Sequence, residues 1–240
     1  MGIDMNIKMK FAAGLLAGVA MAGAAQASFV VLNRLDSQQV LDSSSNLVWA
    51  SDWNLAQTSG YSADGLMTWA QSSAWIASLN SSNYAGHSDW RLPTANTAAS
   101  SNCSSNFNPG GGFSQQYAGY GCTGSEMGHL FYEALGGRSG ESILNQTDDS
   151  AGEKANLALF KNVQSSYYWS GTEYAPNTNL AWGFSTGGGT QGYDDKNFSL
   201  YALAVRPGDV TAAVPEPQTL ALALIALTGA LVARRRRRAA

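Results

Sequence analysis

Leu180-Ala181-Trp182-Gly183-Phe184-Ser185-Thr186 places Trp182, Phe184 and Thr186 on one side of an extended chain. That period of two is the mark of a half-buried strand. The same alternation returns in Tyr201, Leu203 and Val205 within Leu200–Val205, and Tyr167–Ser170 supplies a third aromatic strand. Phe29–Leu35 and Val40-Leu41, then Asn46–Trp49 beyond the turn Asp42-Ser43-Ser44-Ser45, read as short strands joined in a hairpin. Leu66, Trp69, Ile76 and Leu79 recur at near-helical spacing and predict a helix over about 67–79. A second helix is expected from Thr123. Thr123 and Glu126 have capping-box spacing, Met127, Leu130, Phe131, Ala134 and Leu135 form one stripe, and Gly136-Gly137 ends it. Strands, two helices, a loop-rich middle and strands again predict an α+β fold with short antiparallel strands and long loops.

Both ends of the 240-residue chain carry processing features. Lys8 and Lys10 precede an apolar stretch, Phe11–Ala24, closed by Ala25-Gln26-Ala27, the layout of a secretory signal peptide cut after Ala27. At the other end stand Pro215, Glu216 and Pro217, then the uncharged run Thr219–Ala233, then Arg234–Arg238. Fifteen almost wholly apolar residues make a marginal span, since a helix needs about twenty, and the arginines would stay cytoplasmic. The prolines hold the approach extended for a processing enzyme. This tail resembles the PEP-CTERM sorting signal, which implies export, transient anchoring in the inner membrane, cutting by an exosortase, and release to the surface or extracellular matrix. A permanent tail anchor is the alternative. The expected organisation is a signal peptide over 1–27, an extracellular domain over 28–210 and a sorting segment over 211–240.

Charge belongs to the exported body alone. From Ser28 to Val214 there are seven Lys and Arg against fifteen Asp and Glu, which leaves −8, whereas the whole chain is at −3. So acidic a body argues against nucleic acid or an anionic membrane surface as partner. Its two cysteines, Cys103 and Cys122, are most simply a disulfide in an oxidising compartment. They enclose a Ser/Asn/Gly-rich loop with little apolar content of its own.

Six blocks occur in order: Asn46-Leu47-Val48-Trp49, Met67-Thr68-Trp69-Ala70, Ser88-Asp89-Trp90-Arg91-Leu92-Pro93-Thr94, Ser125–Leu130, Tyr168-Trp169-Ser170-Gly171-Thr172 and Ala204-Val205-Arg206. The series resembles the Lcl C-terminal domain family over about 40–207. The Trp-Arg-Leu-Pro-Thr and Tyr-Trp-Ser blocks are its specific parts. The resemblance implies a C-type-lectin-like fold and, from the family's namesake adhesin, adhesion to sulfated polysaccharide. A body at −8 is a poor partner for a polyanion, and a neutral or cationic matrix component suits it better.

Within those blocks Trp90 and Trp169 read as core rather than as platforms for sugar rings. Arg91 is expected to pair with Asp89 or Glu126, and Arg206 to behave likewise. The richest polar group is Glu173, Asn177 and Asn179 with Asp194 and Asp195, loop oxygens of the kind a hard cation such as Ca²⁺ takes. Turn chemistry explains the same residues without an ion. Glu126, His129 and Glu133 share a helical face that should point to solvent or a loop. His87 beside Ser88 lacks nucleophile-elbow or metalloprotease spacing, and the two triple-glycine runs lack the context of a phosphate cradle. The sequence therefore reads as a non-catalytic binding or structural component of exopolysaccharide or biofilm matrix. A hydrolase or modifying enzyme acting on that matrix is the rival, for which a pocket gathering a histidine with two carboxylates would speak.

Overall fold

The computed structural model describes residues 30–209. The proposed signal peptide with Ala27, and the segment holding Pro215, Glu216 and Pro217, lie outside them.

Four strands form the first sheet: β1 (Leu32–Arg34), β2 (Gln39–Asp42), β3 (Leu47–Ala50) and, from the far end of the chain, β9 (Val205–Pro207). The order is β1-β2-β3-β9, antiparallel throughout, with Val48 opposite Arg206 and Trp49 opposite Val205. Every residue of β3 is buried, including Trp49, so the domain's last strand closes over its core. A second sheet joins β6 (Tyr167–Glu173), β7 (Leu180–Ser185) and β8 (Thr190–Asp195), again antiparallel. The remaining pair, β4 (Ser105–Phe107) and β5 (Gln116–Ala118), lies inside the Cys103–Cys122 loop, and those cysteines are disulfide-bonded. The architecture is α+β, with antiparallel sheets and short helices.

The helices are α1 (Leu55–Thr58), α2 (Trp69–Ser81), α3 (Glu126–His129) and α4 (Ala151–Leu157). Helix α2 begins two residues later than its apolar spacing suggested, because Thr68 caps it. The Thr68 hydroxyl accepts from Gln71 N while the Gln71 side chain accepts from Thr68 N, a complete capping box. The box expected at Thr123 and Glu126 does not form. Ser125 stands at the N-cap, and the Glu126 carboxylate is drawn away by the Arg91 guanidinium, a charge-assisted fork that outweighs a cap bond. After α3 the chain widens into a π-helical turn, Leu130–Ala134, in which Leu135 N reaches Leu130 O. Gly136, at φ +71°, ends it in the left-handed conformation that glycine adopts freely.

Leu200–Val205 is not one strand. Leu200 pairs with Met67, Tyr201 bridges Tyr167 and Trp169, Ala204 accepts from Ala50, and Val205 exchanges two hydrogen bonds with Arg91. The alternation there belongs to a chain threading from one sheet to the other, buried from Ala202 to Arg206.

Six of the seven tryptophans are core. Trp49, Trp53, Trp75, Trp90, Trp169 and Trp182 are all at most 2% exposed. Trp90 and Trp169 place their indole N–H groups on Tyr84 O and Met67 O. Trp69, at the start of α2, is the exception and is only half-buried.

Candidate functional site

The sequence pointed to one end of the second sheet, where β6 finishes at Glu173, β7 begins at Leu180 and β8 finishes at Asp195. The structure gathers these residues and commits one side-chain oxygen each of Glu173, Asn177 and Asp195 internally. Glu173 pairs with Lys196. Asn177 Oδ1 accepts from Asn179 N, and Asp195 Oδ1 accepts from both the backbone and the side chain of Asn197. Asp194 and Asp195 are neighbours on β8. Burial, and then the Asp195 charge, push the Asp194 carboxyl above its ordinary range. Among the described residues no group of three or more His, Cys, Asp or Glu side chains is placed to hold a metal ion. The donor set as arranged does not fit Ca²⁺, because its best carboxylate already faces an ammonium.

Lys196 connects this rim to an open cleft. Its carbonyl accepts from Trp69 N, and its Nζ lies 4.1 Å from the centre of the Trp69 ring. The Trp69 indole N–H donates to Ser170 O at 2.8 Å, so Ser170 of β6 and Lys196, just beyond β8, together hold the ring. Beside it opens a cavity of about 360 Å³, floored by Trp69, Ile76 and Leu92. Its polar lining comes from Ser73, Arg91, Thr94 and Thr172. Arg91 grips Glu126 through two bonds of 2.7 Å, and Glu126 also accepts from Thr94 N at 2.7 Å. Of the two partners the sequence offered Arg91, it takes Glu126. Arg206 is buried at 1% exposure, bonds Gln39 and reaches Asp209 at 3.0 Å.

A second pocket, of about 240 Å³, has Ser45, Ser125, Glu126 and His129 among its walls. His129 Nε2 lies 3.1 Å from the fully buried Asp42 carboxylate and 3.0 Å from Ser44 Oγ. Both neighbours therefore address the same ring nitrogen. A proton relay requires them on opposite nitrogens, so these three residues do not form one. Burial alone would raise Asp42, but hydrogen bonds from His129, Ser44 and Ser45 outweigh it and hold the carboxyl at about 2. The same Asp42 bond raises His129 above 6.5 against the opposing effect of burial.

A family model of the Lcl C-terminal domain matches residues 38–206, and one of the PEP-CTERM protein-sorting motif matches residues 213–238. The chain belongs to the Lcl C-terminal domain family. No curated protein and no solved structure matches it. The sorting motif marks an exported protein that is anchored transiently at its C-terminus and then processed by exosortase.

Sequence reasoning missed Trp69 as a surface residue and Asp42 as the partner of His129. Trp69 sat in the same apolar series as Ile76 and Leu79, and no local signal separates a helix's first tryptophan from its core-facing ones. Asp42 belonged to a turn whose Asp-Ser-Ser-Ser composition already explained it.

Proposed function

We propose that this Lcl C-terminal domain protein is a non-catalytic binding or structural component of exopolysaccharide or biofilm matrix, with a C-type-lectin-like architecture. The pairing of the domain's early strands with its last, and the long loops between short elements, support that architecture. The observation that carries the functional reading is the open aromatic cleft at Trp69 beside the Glu173–Asp195 rim. An indole held by Ser170, walled by hydroxyls and flanked by the internally paired Arg91, suits recognition of a polar ligand with flat apolar faces. Glu173, Asn177, Asn179, Asp194 and Asp195 would then border the ligand rather than ligate a cation.

The test is a glycan array probed with the exported protein, with Ca²⁺ and again with a chelator. Binding that survives chelation supports this reading. Binding only with Ca²⁺ would install the ion on the rim, and no binding at all would sink the polysaccharide role. The enzyme rival draws on the second pocket, which gathers His129 with Glu126 and has Asp42 behind the ring. Both carboxylates there are spent on other donors. Hydrolysis of a matrix polysaccharide that disappears in His129→Gln, with the fold intact, would favour that rival.

A further inference from the structure

Trp69 is the one tryptophan of the chain that reaches the surface, and it does so in a cleft whose charges are all cancelled in place. We propose that the cleft between α2 and the Arg91–Thr94 segment is a binding site for neutral hexopyranose units of a polysaccharide, engaged without a metal ion. This deepens the matrix-binding reading and rests on it.

The ligand class follows from the walls. Lys196 lies over the Trp69 ring and is not among the residues that line the cleft. An apolar floor of Trp69, Ile76 and Leu92 suits the C–H face of a pyranose. The Ser73 hydroxyl donates to Trp69 O, Thr172 Oγ1 exchanges bonds with Ala95, and Thr94 Oγ1 accepts from Arg91, and each keeps acceptor or donor capacity for the equatorial hydroxyls of such a unit. Arg91 is the cation on the wall, and its two-bond pairing with Glu126 leaves it no net charge to offer a sulfate or carboxylate. Lys196 is likewise neutralised by Glu173. Around this neutral cleft the body carries seven bases against fifteen acids, −8, which repels polyanions over the range of a Debye length. A cleft open to one side, rather than an enclosed pouch, suits a unit within a chain instead of a free monosaccharide.

Acrylamide quenching of tryptophan fluorescence reads the site directly, because the other six indoles are buried. The exported protein is titrated with neutral hexasaccharides of glucose, mannose and N-acetylglucosamine, and with a sulfated hexasaccharide, each with and without a chelator. At least one neutral hexasaccharide is expected to protect the quenchable tryptophan, with chelator making no difference. Trp69→Ala, which carries no quenchable indole and is therefore read by isothermal titration calorimetry, should weaken that binding about tenfold, the scale of one lost aromatic contact. Because the Trp69 substitution also removes the bond to Ser170, Ser73→Arg provides a second variant. It fills the cleft from an exposed helical position with a good helix former and should abolish protection. Saccharide binding that persists in both variants overturns the site while leaving the matrix role standing. A preference for the sulfated probe, or a requirement for the metal, overturns the ligand class. Failure of every saccharide, on the array as well, takes the matrix-binding reading down with it.

Discussion

Asp42 is the residue on which most short-range order in the first sheet converges. Its carboxylate accepts from Ser44 N, Ser44 Oγ, Ser45 Oγ and His129, so it closes the β2–β3 turn and ties that turn to α3. The linkage has a definite sign. Asp42 titrates at about 2 when folded, against 3.8 for an unperturbed aspartate, so its contribution is complete above about pH 4 and is lost as pH falls toward 2. The difference corresponds to about 2 kcal/mol. His129 is raised above 6.5, so its share is complete below that pH and is lost as pH rises through the folded value. Because both shifts run through the Asp42 carboxylate, Asp42→Asn should flatten both limbs of a stability-versus-pH curve measured by urea unfolding. Two limbs unchanged in that variant would place the shifts elsewhere. The sequence offered His129 a solvent-facing helix surface, which its neighbours Glu126 and Glu133 encouraged. Nothing local could announce a partner 87 positions upstream.

At the scale of an element, the α3 turn owes its place to glycines that admit no side chain. A Cβ on Gly128 would lie 1.9 Å from Cys122 O, and one on Gly137 would lie 2.3 Å from the Phe131 ring. Gly128→Ala should therefore destabilise by at least about 2 kcal/mol, since the obstruction is backbone and has nowhere to move. Thermal unfolding by circular dichroism reads this, and a wild-type midpoint would mean that the helix can slide away from the disulfide loop. The elements themselves were largely legible. Period-two alternation found β7, helical spacing found α2, and Gly136 was correctly placed as a terminator. What escaped were elements without apolar pattern. Strand β8, Thr190-Gln191-Gly192-Tyr193-Asp194-Asp195, reads as polar loop until Trp182 and Tyr193 are seen to pack edge to face at 5.3 Å. The start of α3 escaped for another reason. Arg91, from a distant block, took the carboxylate that a purely local rule assigned to the cap.

For the molecule as a whole, the disulfide and the tail govern persistence and destination. The loop closed by Cys103 and Cys122, 19 residues apart, carries a two-stranded sheet that bears on β8 through Gly119 and Gln191. Cys103→Ser should remove about 3 kcal/mol and lower the melting temperature by several degrees. An unchanged midpoint would show that the β8 contacts alone hold the loop. Deleting Pro215–Pro217 should leave the chain in the inner-membrane fraction, and its normal appearance in the medium would remove the role given to that tripeptide. Fold class and destination were thus readable from pattern and termini. The cleft was not, because Trp69, Arg91 and Thr172 meet only after three separate segments have folded.

Sheet order makes the first sheet depend on the far end of the domain. Strands β1, β2 and β3 cross early, yet their sheet keeps a bare edge over buried Trp49 until Val205–Pro207 arrives to cover it. The sorting motif begins at residue 213, only a few positions later. A chain lacking Val205–Pro207 would therefore leave β3 as an unpaired edge over the core, the kind of edge that invites aggregation and proteolysis. The strand that completes the first sheet and the segment that directs processing are thus separated by five residues, 208–212.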